Sequence, residues 1–98
     1  MISNINISEL LNLNGISIID IRNIEKYNDN HIPNAINIPQ EKLLMNPNKY
    51  LDKNTRYYIY CQKGMSSYNT CKILSKIGYK VTNINGGYES YILNKRNQ

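Results

Sequence analysis

The chain has 98 residues with 12 Lys and Arg against 7 Asp and Glu, a net charge of +5, and 41% hydrophobic residues. That is one domain with enough apolar content for a single core, which argues against disorder. The basic residues are spread along the chain apart from Lys95-Arg96, so they read as a solvated surface rather than a nucleic-acid stripe. A basic pocket near Lys63 is the sharper alternative.

No apolar run approaches the roughly 18 residues of a membrane span, and no charged segment followed by an apolar core marks a signal peptide. Two cysteines form no disulfide framework and read as reduced thiols, which predicts a cytoplasmic setting. Tyr occurs 9 times while Phe and Trp are absent. If Tyr fills aromatic core positions, each buried hydroxyl needs a partner.

Ile5 to Ile7 reads as a short first strand. Ser8 is a fair N-cap for a helix carrying Leu10, Leu11 and Leu13, which Gly15 stops. Ile16 to Ile21 is β-branched and mostly apolar, as a buried parallel strand requires. Residues 24–28 suit a short helix, and Ala35 to Ile38 a strand closed by Pro39. Gln40 to Met45 suits a helical turn or two, broken by Asn46-Pro47-Asn48. Arg56 to Tyr60 is a further strand. Tyr68, Cys71, Leu74 and Ile77, with Ile73, fall near one helical face, and Gly78 ends that helix. Val81 to Ile84 is the last strand, Gly86-Gly87 a tight turn, and Tyr88 to Lys95 a terminal helix. Strands alternating with helices predict an α/β domain over residues 1–98, with a central, mainly parallel sheet of about five strands and four or five helices.

The most informative segment is Cys61-Gln62-Lys63-Gly64-Met65-Ser66-Ser67. It places a cysteine at a strand exit, on a short loop feeding a helix start. Helix N-terminal amides favour negative charge and lower a thiol pKa, and the thiolate is the nucleophile. Gly64 permits a tight turn, Ser66 and Ser67 can donate hydroxyl hydrogen bonds, and Lys63 offers a mobile cation.

Four blocks in order give the chain a family likeness. They are Ile18-Ile19-Asp20-Ile21-Arg22, His31-Ile32-Pro33-Asn34-Ala35-Ile36-Asn37-Ile38-Pro39, the Cys61 loop, and Ile84-Asn85-Gly86-Gly87-Tyr88. Together they resemble the single-domain rhodaneses, the thiosulfate or persulfide sulfurtransferases, over about Ile5 to Tyr91. The resemblance implies a rhodanese-like α/β fold with helices on both faces of the sheet. It implies Cys61 as the residue that accepts sulfane sulfur from a donor and passes it to a thiol or cyanide. It also implies Gln62 to Ser67 as the substrate or anion-binding loop, with no metal and no organic cofactor. The alternative is a sulfur-carrier or docking module with little thiosulfate turnover. The expected partners are a small-molecule sulfur donor and a protein thiol acceptor, with no membrane and no nucleic acid.

Departures from the family pattern are Asn30 and Asn34 in place of Gly, Lys26 where an acid is common, Tyr91 at the usual Trp site, and Ser66 in place of Arg. Asn tolerates a left-handed backbone. Cysteine phosphatases need an Arg six positions after the cysteine as a bidentate phosphate clamp. Ser67 stands there, which disfavours phosphate-ester chemistry.

Other candidates have plainer readings. Cys71 falls on the core face of its helix, too far along it for an unstrained disulfide to Cys61. His31 reads as a turn histidine rather than a general base. Asp20 and Arg22 sit at a strand's C-terminal end and read as braces for the loops; for Arg22 the alternative is a cation at the pocket mouth.

Overall fold

Side chains on the central strands alternate between two apolar layers, and this divides the domain. In the computed structural model, which describes residues 2–98, the strands are β1 (Ser3–Ile5), β2 (Ser17–Asp20), β3 (Ile36–Asn37), β4 (Arg56–Tyr60) and β5 (Lys80–Ile84). They form one sheet in the order β1-β5-β4-β2-β3, parallel throughout. The helices among the described residues are α1 (Ile7–Leu10), α2 (Ile24–Asp29), α3 (Gln40–Met45), α4 (Pro47–Tyr50), α5 (Met65–Lys76) and α6 (Gly87–Arg96).

On one face, Ile19, Ile59 and Val81 pack with Leu43 of α3 and with Cys71 and Leu74 of α5. On the other, Ile18, Tyr60 and Ile84 pack with Ile7 and Leu10 of α1 and Tyr91 of α6. Burial of each such side chain contributes about 1.5–3 kcal/mol. A sheet covered on both faces is what the near-continuous apolar runs of β2 and β4 demand. The expected mainly parallel, five-stranded α/β domain with helices on both faces is therefore observed.

The boundaries differ from the sequence reading in places, each for a local reason. The first strand is Ser3–Ile5, and Ile7 already belongs to α1. Extended Asn6, rather than Ser8, is the N-cap, and its carbonyl accepts from Glu9 N–H and Leu10 N–H. That helix ends well before Gly15. Pro47 does not simply break the chain; it begins α4, where its fixed φ and missing N–H are tolerated. Helix count rises to six accordingly. On α5, Cys71 and Leu74 are buried as expected, but Tyr68, Ile73 and Ile77 are 39%, 48% and 49% exposed. Ser67 and Thr70 take the inward positions, because the groups they meet, Asn83 and Gln40, are polar.

The loops after β2 and β4 lie side by side. The chain runs from β2 to its neighbour β3 on one side, then crosses to β4 on the other. Open α/β sheets bind ligands at such a switch point, beyond the strand C-termini. A buried polar knot holds the strand ends beneath them together. Tyr60 Oη donates to Asp20 Oδ2 at 2.6 Å and accepts from Ile32 N–H at 3.1 Å. Burial and this donation to Asp20 push the Tyr60 hydroxyl far above the ordinary tyrosine range, so it stays protonated as a donor. Replacing it should leave both Asp20 and the Ile32 amide short of a partner. Tyr60→Phe should lower unfolding free energy by about 2 kcal/mol in urea titration; a loss below about 0.5 kcal/mol would show that the knot carries no stability.

Candidate functional site: the Cys61 cup

The loop 61–64 turns because Gly64 adopts φ +101°, and a Cβ there would lie 2.9 Å from Gly86 N. Only glycine meets both demands at low cost. Gly64 then caps α5, and the turn folds the loop back over its own first side chain. Gly64 N–H and Ser67 N–H donate to Cys61 Sγ at 3.1 and 3.2 Å. The Cys61 thiol in turn donates to Ser67 Oγ at 3.3 Å. Three polar groups thus converge on one sulfur at the positive end of a twelve-residue helix. Cys61 is 7% exposed, on a loop whose Lys63, Met65 and Ser66 are exposed.

The peptide orientation of this loop is imposed from outside. Tyr88 N–H and Glu89 N–H, in the first turn of α6, donate to Cys61 O at 2.9 Å and Gln62 O at 3.1 Å. With those carbonyls held by α6, the loop's later amides are free to face the sulfur. Gly87 makes this approach possible, because a Cβ on it would collide with Cys61 O and lie 3.0 Å from Gln62 C.

Asp20 and Arg22 brace this arrangement. Arg22 Nε and Nη2 donate to Asp20 in a buried ion pair of 2.7 Å, and Arg22 N–H donates to Oδ1 as well. Burial alone would lower the Arg22 pKa, but hydrogen bonds and charge from Asp20 raise it overall. The rest of the guanidinium reaches Gln62 Oε1 at 3.2 Å and the Asn30 carbonyl at 2.7 Å. It also lies 4.1 Å from the Tyr88 ring centroid. Asp20 therefore reaches Gln62 of the loop through Arg22. Arg22 is 7% exposed and occupied as a brace; the reading of it as a free cation at a pocket mouth does not hold.

The loop residues divide in position. Ser67 is fully buried against the sulfur, whereas Ser66 is exposed and Met65 is 73% exposed. Gln62 turns to Arg22, and Lys63 projects to solvent. A hollow of about 360 Å³ beside Gln62 is lined by Tyr88, Glu89, Ile92, Leu93 and Arg96. Cys71 lies in the core with its thiol pushed up to about 12 by burial and, secondarily, by Cys61; both cysteines are free thiols. His31 stacks on Tyr27 at 4.0 Å and bonds the Ile32 carbonyl, a turn role. Asn34 takes φ +70°, while Asn30 is extended at φ −171°, so the left-handed allowance is needed at one Asn only.

Sequence reading overlooked Asn83, Tyr60 and the extra task of Gly87. Asn83 is buried in β5 and accepts from Ser67 Oγ at 2.6 Å. The signal was available: an Asn in an apolar strand needs a partner. Gly87→Ala should push the loop from its α6 anchor, cutting the rate of Cys61 alkylation by at least about tenfold while thermal unfolding remains cooperative. An unchanged rate would detach Gly87 from the sulfur's surroundings.

The Rhodanese-like domain family model matches residues 5–94. YtwF of Bacillus subtilis (strain 168), whose name assigns it provisionally to the sulfurtransferases, is 38% identical over 72 residues, covering 71% of this chain and 67% of its own. The thiosulfate sulfurtransferase GlpE of Coxiella burnetii is 33% identical over 91 residues, covering 92% of this chain and 84% of its own. Among solved structures, a rhodanese-related protein from Thermoplasma volcanium superposes with a TM-score of 0.85 at 28% identity, covering 94% of this chain and 92% of its own. The parallel α/β sheet agrees with these matches, and the chain belongs to the rhodanese-like domain family.

Proposed function

We propose that the protein is a sulfurtransferase that carries sulfane sulfur as a persulfide on Cys61. The observation that supports this best is the convergence of two backbone amides and the Ser67 hydroxyl on Cys61 Sγ. The two amides, fixed in advance around the sulfur, stabilise negative charge there without reorganising. In the first half-reaction, the Cys61 thiolate attacks the outer sulfur of thiosulfate or of a persulfide. A new S–S bond forms, and sulfite or a thiolate leaves with the electron pair. In the second, an acceptor thiolate or cyanide attacks the outer sulfur, and Cys61 leaves as the thiolate. Nothing is oxidised or reduced overall beyond the movement of one sulfane sulfur.

The composition of the loop fits that assignment. In the family the chain belongs to, such a loop suits one added sulfur better than a phosphoryl group with its three oxygens. Ser67, six positions on, supplies no guanidinium fork. Lys63, exposed at the loop tip, is suited to draw an anionic donor. A sulfur-carrier role at the same cysteine is the second reading. Exposed Met65 and the apolar wall of Ile92 and Leu93 beside Gln62 favour a protein thiol as acceptor under it. The free state of both cysteines suits a reducing compartment such as the cytoplasm, and among the described residues no helix is long and apolar enough to cross a membrane.

Cys61→Ser should abolish thiosulfate–cyanide turnover, by at least about 10³-fold, with an unchanged melting curve. Wild-type protein incubated with thiosulfate should gain the mass of one sulfur, mapped to Cys61. Retained turnover in the mutant, or sulfur located elsewhere, overturns the assignment; sulfur on Cys61 without turnover selects the carrier reading.

Lys63→Ala should lower kcat/KM for thiosulfate about three- to tenfold, with little change for an uncharged persulfide donor. The thiosulfate deficit should shrink as ionic strength rises. Equal losses with both donors would remove Lys63 from donor capture.

A further inference from the structure

Behind Cys61 runs a chain of short polar contacts that its sulfur chemistry does not by itself require. Ser67 Oγ lies 3.3 Å from Cys61 Sγ, 3.3 Å from Gly64 O and 2.6 Å from Asn83 Oδ1. Asn83 Nδ2 donates to Asn4 Oδ1 at 3.1 Å, across to the edge strand β1. Ser67 and Asn83 are 0% and 2% exposed, and Asn4 is exposed.

A serine hydroxyl has one proton to give. An oxygen–oxygen contact of 2.6 Å requires a proton between the two atoms. As arranged, Ser67 gives its proton to Asn83 and accepts the proton of the Cys61 thiol. That pattern suits the neutral thiol only. An anionic sulfur, whether thiolate or persulfide, has no proton to offer and needs one. Ser67 Oγ–H must then turn toward the sulfur, which would leave two bare oxygens facing each other at 2.6 Å. A carboxamide resolves the conflict: a half-turn about its last side-chain bond presents Nδ2–H to Ser67 and Oδ1 to Asn4. Asn4, on the surface, can reverse its own amide or use water in reply.

We propose that Asn83 is a positioning residue of the sulfur site, a reversible amide that sets the direction of the Ser67 hydroxyl to match the charge on Cys61. The assignment rests on Cys61 as the sulfur-bearing residue. Ionisation sends the thiol proton to solvent, and the Ser67–Asn83–Asn4 chain reverses its donors, giving up only the long contacts of Ser67 Oγ to Gly64 O and of exposed Asn4 Nδ2 to Ile2 O, both 3.3 Å. Asn is required because it both donates and accepts at one site; Asp in ionised form only accepts. The ionisable groups around the cup are Lys63 on the loop, Cys71 on α5, Arg22 beyond Gln62, and Glu89, whose amide holds the Gln62 carbonyl. All remain in place in the variants below.

The test reads the pH midpoint of Cys61 alkylation by iodoacetamide, a neutral reagent, without reference to turnover. Asn83→Asp should fix the Ser67 proton away from the sulfur and raise the midpoint by about one pH unit or more. Part of that rise is plain repulsion from the added carboxylate. The same change in a Ser67→Ala background retains only that part, so its shift should be clearly smaller. Asn83→Leu, which frees the Ser67 proton, should not raise the midpoint. Equal shifts in the two backgrounds, or a rise with Leu matching that with Asp, overturns the proposal.

A measurement on unmutated protein stands beside these in case a variant fails to fold. The Asn83 side-chain amide signals in ¹⁵N spectra should titrate with the Cys61 midpoint and move again when thiosulfate loads the cysteine; Ser67→Ala should silence both responses. A static Asn83 amide in protein whose Cys61 does ionise and take up sulfur overturns the relay alone. Failure of Cys61 to take up sulfur at all overturns the functional reading instead.

Discussion

Two peptide carbonyls decide the character of this site. Every amide in a loop comes with a carbonyl, and a tight loop cannot aim all its N–H groups inward unless something takes the oxygens. Here the first turn of α6 takes them: Tyr88 and Glu89 amides hold the oxygens of Cys61 and Gln62. The amides of Gly64 and Ser67 are then left for the sulfur. Two helix N-termini meet at one loop, α6 satisfying its carbonyls and α5 supplying its sulfur-facing donors. The close approach this requires explains why glycine stands at both contact points, Gly64 and Gly87.

A second layer fixes where that loop sits over the sheet. The Asp20–Arg22 pair is buried, and a buried pair offsets its own desolvation only when its remaining groups are satisfied. Here they are: Tyr60, Gln62, Asn30 and the Tyr88 ring complete the set. The pair is better understood as a positional device than as a source of stability. It ties the end of β2 to the loop after β4 and to α6, so three separate pieces of chain reach the cup in one register.

Much of this was legible in the sequence, because it depends on local pattern. β4 and α3 fall where the apolar runs and helical spacing place them, with the same boundaries. The Cys61 loop is visible because strand, cysteine, glycine and helix start are adjacent in the chain. What escaped depends on contacts between distant residues. Asn83 meets Ser67 only when β5 lies beside β4, and Arg22 turns inward only because Gln62 and Asn30 accept its donors. The apolar face of α5 is narrower than its spacing predicts for the same reason: Ser67 and Thr70 are polar but find polar partners in Asn83 and Gln40. Composition nevertheless foretold one long-range fact. With tyrosines serving as the only aromatics, buried hydroxyls needed acceptors, and Tyr60 found one in Asp20 while Tyr27 found one in the Ala35 carbonyl.

Asn4 and Asn83 are 79 positions apart, yet they bond across β1 and β5. During synthesis β1 leaves the ribosome long before β5. The polar backing of the cysteine therefore cannot exist on a partly made chain, and neither can the α6 anchors that orient its loop. A growing polypeptide carries Cys61 as an ordinary thiol until β5 and α6 have followed it out. The sulfur acquires its polar surroundings only once β1 and β5 have paired, so the fold itself times when they close around the thiol.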